Sequence, residues 1–267
     1  MRGVRTIVLT SPWPESVYAF APIWPALAQR FRLLAVDLPG FGGSERRNDL
    51  MSPRAMGAFL VRLIDECHLG APHLVAPDLG TSAALFAALA SPGSVSSVIV
   101  GSGGAAVPIE LGEPLRGWAL DPDLDQFRSI DPGVIVDAAL ATVAGHEFPA
   151  AIREDYLESY VGDRFFQSIR YARRYPDELP ALADRLGQIR TPVLIFAGLH
   201  DRVVPLANAE FLAARLPHSR LVTFDAGHFV WEEAPDEFAA LITSWVSRGT
   251  RPCAGRWTPR TAASACA

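Results

Sequence analysis

Short apolar runs alternate with amphipathic stretches along most of the chain. Runs rich in β-branched and aliphatic residues predict buried strands, and apolar residues at helical spacing predict helices between them. Strands are predicted at residues 5–10, 32–37, 72–77, 96–100, 191–197 and 220–224. Helices are predicted at residues 16–30, 52–68, 83–89, 206–216 and 231–246. This order indicates an α/β fold with a mostly parallel, doubly wound sheet that helices cover on both faces.

The alternation breaks off in the middle of the chain. Residues 105–187 have few strand-like runs and read as helical, with candidates at 134–143, 150–160 and 163–174. We therefore predict a core formed by residues 1–104 and 188–247 and a helical lid inserted at 105–187. Residues 248–267 have no apolar period and are rich in Gly, Pro, Ala and Ser, which predicts a loose tail.

Composition narrows the class of protein. Hydrophobic residues make up 49% and charged residues 20% of the 267 positions, as is usual for a globular enzyme. A formal net charge of -5 argues against nucleic acid or an anionic membrane as partner. The 3 cysteines are widely spaced, which predicts neither a disulfide framework nor a metal site. With no apparent signal peptide or spanning stretch, we predict a cytoplasmic protein without metal or cofactor.

One turn carries a pattern of chemical interest. An apolar run leads to Asp78, small residues (Ala76 and Gly80) stand two positions before and after it, and a helix-like run follows. This is the pattern of a nucleophile elbow, where a sharp strand-to-helix turn leaves room only for small neighbours. Attack by a carboxylate on an ester carbonyl would form a high-energy mixed anhydride, whereas attack on saturated carbon forms an ordinary ester. Asp78 therefore favours epoxides or alkyl halides as substrates.

Two further candidates follow later strands. Asp201 comes after the strand predicted at 191–197, and His228 comes after the strand at 220–224. Loops at the carboxyl ends of parallel strands gather at one edge of the sheet, so we expect both side chains near Asp78. Glu110, which follows an earlier strand, is the alternative to Asp201 as the acid.

Residues 5 to 247 resemble the α/β-hydrolase superfamily. The resemblance rests on the stretches Asp37–Ser44, Gly198–Pro205 and Ala226–His228 and on the elbow itself. With Asp at its tip, the elbow resembles that of the superfamily branch that contains epoxide hydrolases and haloalkane dehalogenases. The turn Ser11-Pro12-Trp13-Pro14 is similar to the His-Gly-x-Pro turn of epoxide hydrolases.

The resemblance implies a role for each residue. Asp78 would form an alkyl-enzyme ester, His228 would activate the water that cleaves it, and Asp201 would orient His228. Backbone N–H groups of Trp13 and Leu79 would stabilise the oxyanion.

The resemblance also implies lid tyrosines that protonate the substrate oxygen. The candidates are Tyr156, Tyr160, Tyr171 and Tyr175, of which Tyr171 best resembles a lid tyrosine. Leu79 stands where both enzyme groups usually carry Trp, which weakens the dehalogenase interpretation.

The expected function is therefore an epoxide hydrolase that forms a vicinal diol. The alternatives are a haloalkane dehalogenase or a catalytically idle small-molecule binder. The expected partners are a small apolar electrophile and water, and the oligomeric state stays open.

Overall fold

The computed structural model describes residues 4–125 and 128–248. Six parallel strands form one sheet in the order β2-β1-β3-β4-β5-β6. The strands are β1 (Thr6–Thr10), β2 (Arg32–Val36), β3 (His73–Pro77), β4 (Ser97–Gly101), β5 (Val193–Gly198) and β6 (Ser219–Phe224). Every residue of β3, β4 and β5 is buried, because helices cover both faces of the central strands. The predicted α/β class with a doubly wound parallel sheet is confirmed.

Helices pack on both faces of this sheet and form two buried apolar clusters. The α-helices are α1 (Trp24–Ala28), α2 (Pro53–Glu66), α3 (Gly80–Ala90), α4 (Leu115–Leu120), α5 (Pro132–Leu140), α6 (Ala150–Ser159), α7 (Arg164–Ser168), α8 (Tyr175–Ala183), α9 (Ala207–Arg215), α10 (Val230–Glu233) and α11 (Pro235–Arg248). Short 3₁₀ helices lie at Val17–Phe20, Asn48–Leu50, Ala172–Arg174 and Leu186–Gln188.

Proline breaks two of the predicted helices. The helix predicted at 16–30 is a 3₁₀ turn followed by the five-residue α1, and the helix predicted at 231–246 is α10 followed by α11. Pro22 and Pro235 lie at these breaks and cannot donate the backbone hydrogen bond that would continue a helix. The predicted helix at 163–174 also stops early, at Ser168, whose hydroxyl donates to the Phe165 carbonyl and competes with the helical pattern.

The segment between β4 and β5 contributes α4 to α8 and, among its described residues, no strand. That this segment acts as a lid stays a prediction. The predicted loose tail lies outside the described residues from position 249 onward, since α11 runs to Arg248. No helix in the described ranges is long and apolar enough to cross a bilayer.

Candidate active site

Asp78 lies at the tip of a strained turn between β3 and α3. Its φ is +51°, a left-handed conformation that is uncommon for a residue with a side chain and typical of a nucleophile elbow. A Cβ at Gly80 would lie 2.5 Å from the Thr10 Oγ1, and one at Gly103 would lie 2.1 Å from the Asp78 carbonyl oxygen. The turn therefore requires small neighbours for a steric reason.

Two backbone groups hold the Asp78 carboxylate. The Trp13 N–H donates to Oδ2 at 2.8 Å, and the Leu79 N–H also bonds this carboxylate. Burial raises the pKa of Asp78 above its ordinary value, although the charge of His228 and the two N–H donors oppose the increase. The carboxylate is consequently a stronger base than an exposed aspartate, and the two predicted oxyanion donors are occupied by Asp78 itself.

Asp201 and His228 form a buried hydrogen-bonded pair beside Asp78. The loops that carry them touch after β5 and β6, where a Cβ at Gly198 would lie only 1.9 Å from the Gly227 carbonyl oxygen. His228 Nδ1 lies 2.8 Å from Asp201 Oδ2, and His228 Nε2 lies 3.7 Å from Asp78 Oδ1. The fold thus brings together the three residues that the sequence predicted for the site.

Two backbone N–H groups hold the oxygen of Asp201 that does not contact His228. This oxygen, Oδ1, accepts the N–H groups of Val203 at 2.9 Å and Val204 at 2.8 Å. Glu110, the alternative acid, has an exposed side chain, and only its carbonyl oxygen is engaged, by the amide of Asn208. Asp201 is therefore the acid that contacts the imidazole.

Neighbouring negative charges raise the pKa of His228 by more than burial lowers it. Burial alone would lower the pKa of this imidazole, but the charge and hydrogen bond of Asp201, then the charges of Asp78 and Glu15, raise it to about 9. His228 is consequently an imidazolium at neutral pH. In this state it can donate a hydrogen bond or a proton, but it cannot act as a general base.

An apolar cavity of about 270 Å³ opens beside Asp78 and His228. Its walls come from loops that follow the strands and from the segment between β4 and β5, which contributes Trp118, Ile135 and Phe165. The exposed residues Glu113 and Arg202 also line it. Sequence reasoning did not find these wall residues, because apolar side chains at helical spacing carry no mark that separates cavity walls from core.

The four predicted tyrosines lie in different surroundings. Tyr171 and Tyr175 line a second, water-sized pocket of about 20 Å³ next to Asp78, and the Tyr171 hydroxyl donates to the Leu79 carbonyl at 2.8 Å. Tyr160 donates to the Glu15 carbonyl at 3.1 Å, and Tyr156 donates to Glu232 Oε1 at 3.5 Å. The fold does not bring Tyr156 and Tyr160 to either pocket, because backbone and carboxylate acceptors hold them elsewhere.

The chain belongs to the Alpha/beta hydrolase family, whose model matches residues 7–241. The fold and the carboxylate–imidazole–carboxylate arrangement at the strand ends thus define an α/β-hydrolase enzyme.

A relative from Cupriavidus pinatubonensis is named 2-hydroxy-6-oxononadienedioate/2-hydroxy-6-oxononatrienedioate hydrolase; it is 27% identical over 79% of this chain and 74% of its own length. A 2-hydroxymuconate semialdehyde hydrolase from a Pseudomonas strain is 27% identical over 84% of this chain and 80% of its own. Among solved structures, a meta-cleavage product hydrolase from Pseudomonas fluorescens has a TM-score of 0.71 at 21% identity, over 92% of this chain and 91% of its own, which shows the fold alone.

These relatives correct the functional prediction. They are named as hydrolases of unsaturated oxo acids and a semialdehyde, so the expected epoxide hydrolase with an alkyl-enzyme ester is wrong, as is the haloalkane dehalogenase. Because both relatives are named as enzymes, the comparison also disfavours the alternative of a catalytically idle small-molecule binder. The physical reason is that a carboxylate at an elbow is able to act as a base as well as a nucleophile. Its identity alone does not select the reaction.

Proposed function

We propose that this chain hydrolyses a carbon–carbon bond beside a ketone in a small, largely apolar oxo acid. In this proposal Asp78 is the general base that activates water, and the His228 imidazolium stabilises the oxyanion. The observation that carries it is the 3.7 Å contact between Asp78 Oδ1 and His228 Nε2 at the wall of the apolar cavity.

The names of the relatives support the bond type. A 2-hydroxy-6-oxo dienedioate contains an enol, a ketone and carboxylates but no ester or amide. Hydrolysis of such a molecule has to break a carbon–carbon bond next to the ketone. The enol proton first moves to the carbon beside the ketone, which gives the keto tautomer with an sp³ carbon at that position. From this tautomer the departing carbon leaves as an enolate that the conjugated system stabilises.

The charge states support the two proton-handling roles. His228, whose pKa is raised to about 9, carries a proton at neutral pH and is unsuited to taking one from water. Asp78, whose pKa burial raises, is the base available in the same place. Direct attack by Asp78 on the ketone would form a mixed anhydride, so attack by water avoids a high-energy intermediate.

The proposed reaction balances with a single water. Water bonds to the ketone carbon as its proton passes to Asp78, and the carbonyl oxygen becomes an oxyanion that hydrogen-bonds to His228 Nε2–H. The tetrahedral adduct then collapses, the carbon–carbon bond breaks, and the leaving carbon takes the proton from Asp78. The products are a carboxylic acid and a ketonised fragment, and both side chains return to their starting states.

The cavity supports a substrate of this kind. Its volume of about 270 Å³ and its aromatic walls suit a conjugated chain rather than a sugar or peptide. Among its lining residues Arg202 is a cation with an exposed side chain, and we propose that it attracts a carboxylate of the substrate.

A single-turnover reaction in ¹⁸O-labelled water tests the proposal. The purified protein is mixed with a 2-hydroxy-6-oxo dienoate, whose conjugated chromophore disappears when the bond breaks. We expect the label in the product acid in the first turnover and none in the peptide that contains Asp78. We expect Asp78→Asn to slow the reaction about 10²- to 10⁴-fold, the usual contribution of a general base. Label in that peptide, or an unchanged chromophore with the parent protein, contradicts the proposal.

A further inference from the structure

Two buried glutamates lie directly behind the catalytic imidazole. Glu15, from the turn after β1, is fully buried, and Glu232, from α10, is 3% exposed. Their carboxyl groups are in hydrogen-bonding contact with each other. The proposed reaction uses neither of them, and two carboxyl groups buried together away from solvent require an explanation.

The donors around this pair satisfy half of its oxygens. Trp231 Nε1 donates to Glu15 Oε2 at 2.9 Å, and the Tyr156 hydroxyl donates to Glu232 Oε1 at 3.5 Å. Glu15 Oε1 and Glu232 Oε2 are buried and have no donor among the described groups. Two ionised carboxylates would leave both oxygens unsatisfied and place two like charges in contact. One proton between the carboxyls removes both problems.

We propose that Glu15 and Glu232 share a single proton as a buried carboxyl pair, and that the one negative charge they retain positions His228 and favours its protonated form. This inference rests on the proposed function only in calling His228 catalytic. Trp231 connects the two features, since its ring lies 6.2 Å from the His228 ring, centroid to centroid, while its Nε1 holds Glu15.

The electrostatics agree with this arrangement. Burial and the charge of Glu232 raise the pKa of Glu15, and burial raises the pKa of Glu232 to about 7. The charged and titratable groups that act on the pair are His228, Glu233 and, on α6, Tyr156. Glu233 is engaged separately, since it accepts the N–H groups of Gly227 and Phe229.

Infrared spectroscopy and ¹³C NMR of protein labelled at glutamate side-chain carbons test the shared proton without substrate. At neutral pH we expect a protonated glutamate signal in the parent that disappears in both Glu15→Gln and Glu232→Gln. Glu178→Gln is the matched control, because Glu178 is also buried but accepts a backbone N–H from Arg54 at 2.8 Å. This control should keep the signal. Absence of the signal in the parent, or its persistence in either variant, overturns the proposal.

Histidine ¹⁵N NMR tests the effect on His228. Glu232→Gln mimics the protonated partner and leaves the charge on Glu15, so the pKa of His228 should stay near that of the parent. The double variant Glu15→Gln/Glu232→Gln removes that charge and should lower the pKa of His228 by about one to two units. An unchanged His228 titration in the double variant refutes the positioning role. If the Glu15 variants do not fold, Glu232→Gln alone tests the shared proton: loss of the protonated glutamate signal supports it, and persistence of that signal overturns it.

Discussion

Replacing Asp201 by Asn should convert His228 from an imidazolium into a neutral ring at neutral pH. Asp201 Oδ2 lies 2.8 Å from His228 Nδ1, while Oδ1 accepts two backbone N–H groups. An Asn side chain has one oxygen, which can accept either from the two backbone N–H groups or from His228 Nδ1–H. Because the backbone offers two donors and His228 offers one, we expect the Asn oxygen to face the backbone and its NH₂ to face Nδ1. An NH₂ in that place disfavours the protonated ring.

The size of the effect follows from the loss of one buried charge. Two unit charges about 3.5 Å apart interact by roughly 5 kcal/mol at an effective dielectric constant of about 20, which corresponds to about 3 pKa units. Both side chains are at most 5% exposed, so solvent screens this interaction little. The pKa of His228 should therefore fall from about 9 to below its ordinary value of 6.5.

The sign of the pH dependence separates the two possible roles of His228. If the imidazolium stabilises the oxyanion, kcat/KM falls as pH rises through about 9 in the parent, and this alkaline limb moves to near neutral pH in Asp201→Asn. If neutral His228 were the base, the rate would rise with pH instead. Rate–pH profiles and histidine ¹⁵N NMR measure the shift. Asp225→Asn, at an exposed aspartate paired with His200, is the control and should leave both unchanged.

The raised pKa of His228 also makes the free energy of unfolding depend on pH. The pKa of His228 in the folded protein lies above its ordinary value, so its contribution of about 3 kcal/mol is fully present below pH 6.5 and is lost as pH rises through about 9. Denaturant titrations across this window should show that decline in the parent and not in Asp201→Asn. An alkaline limb and a stability profile that both stay unchanged in Asp201→Asn would show that Asp201 does not hold the proton on His228.

Three further substitutions test the site. Asp78→Ser should create a hydroxyl nucleophile beside the imidazole and remove one of the charges that raise the pKa of His228. At a pH above about 9, where the imidazole is neutral and can accept the hydroxyl proton, the variant should react with a fluorophosphonate probe that leaves the parent unlabelled. A variant that stays unlabelled at this pH counts against the elbow geometry. Gly103→Ala places a Cβ 2.1 Å from the Asp78 carbonyl oxygen and should cost about 1–3 kcal/mol in chemical denaturation, whereas Gly187→Ala, with open space, should cost little. Tyr171→Phe loses the 2.8 Å bond to Leu79 and should cost about 1 kcal/mol; unchanged stability would mean that the hydroxyl does not hold the elbow.

The wrong functional prediction arose at one step. The sequence placed a carboxylate at the elbow, and its chemistry was interpreted as nucleophilic attack on saturated carbon. Whether Asp78 attacks or accepts a proton depends on the charge of its neighbour, and that charge depends on burial and on Asp201. Sequence reasoning had no access to either quantity.

Sequence patterns were enough to predict the parallel sheet, the elbow at Asp78 and the positions of Asp201 and His228 at strand ends. These are local patterns, since apolar runs, small residues around a turn and polar residues after a strand can all be read within a few positions. The surroundings that raise the pKa of His228, the cavity walls and the burial of Glu15 and Glu232 became visible only in the folded chain. Those depend on contacts between distant parts of the chain, such as the bond from Trp231 to Glu15 across 216 positions. The pKa of a buried side chain depends on its burial and on contacts with residues far away in the sequence. Neither can be read from the residues next to it in the chain.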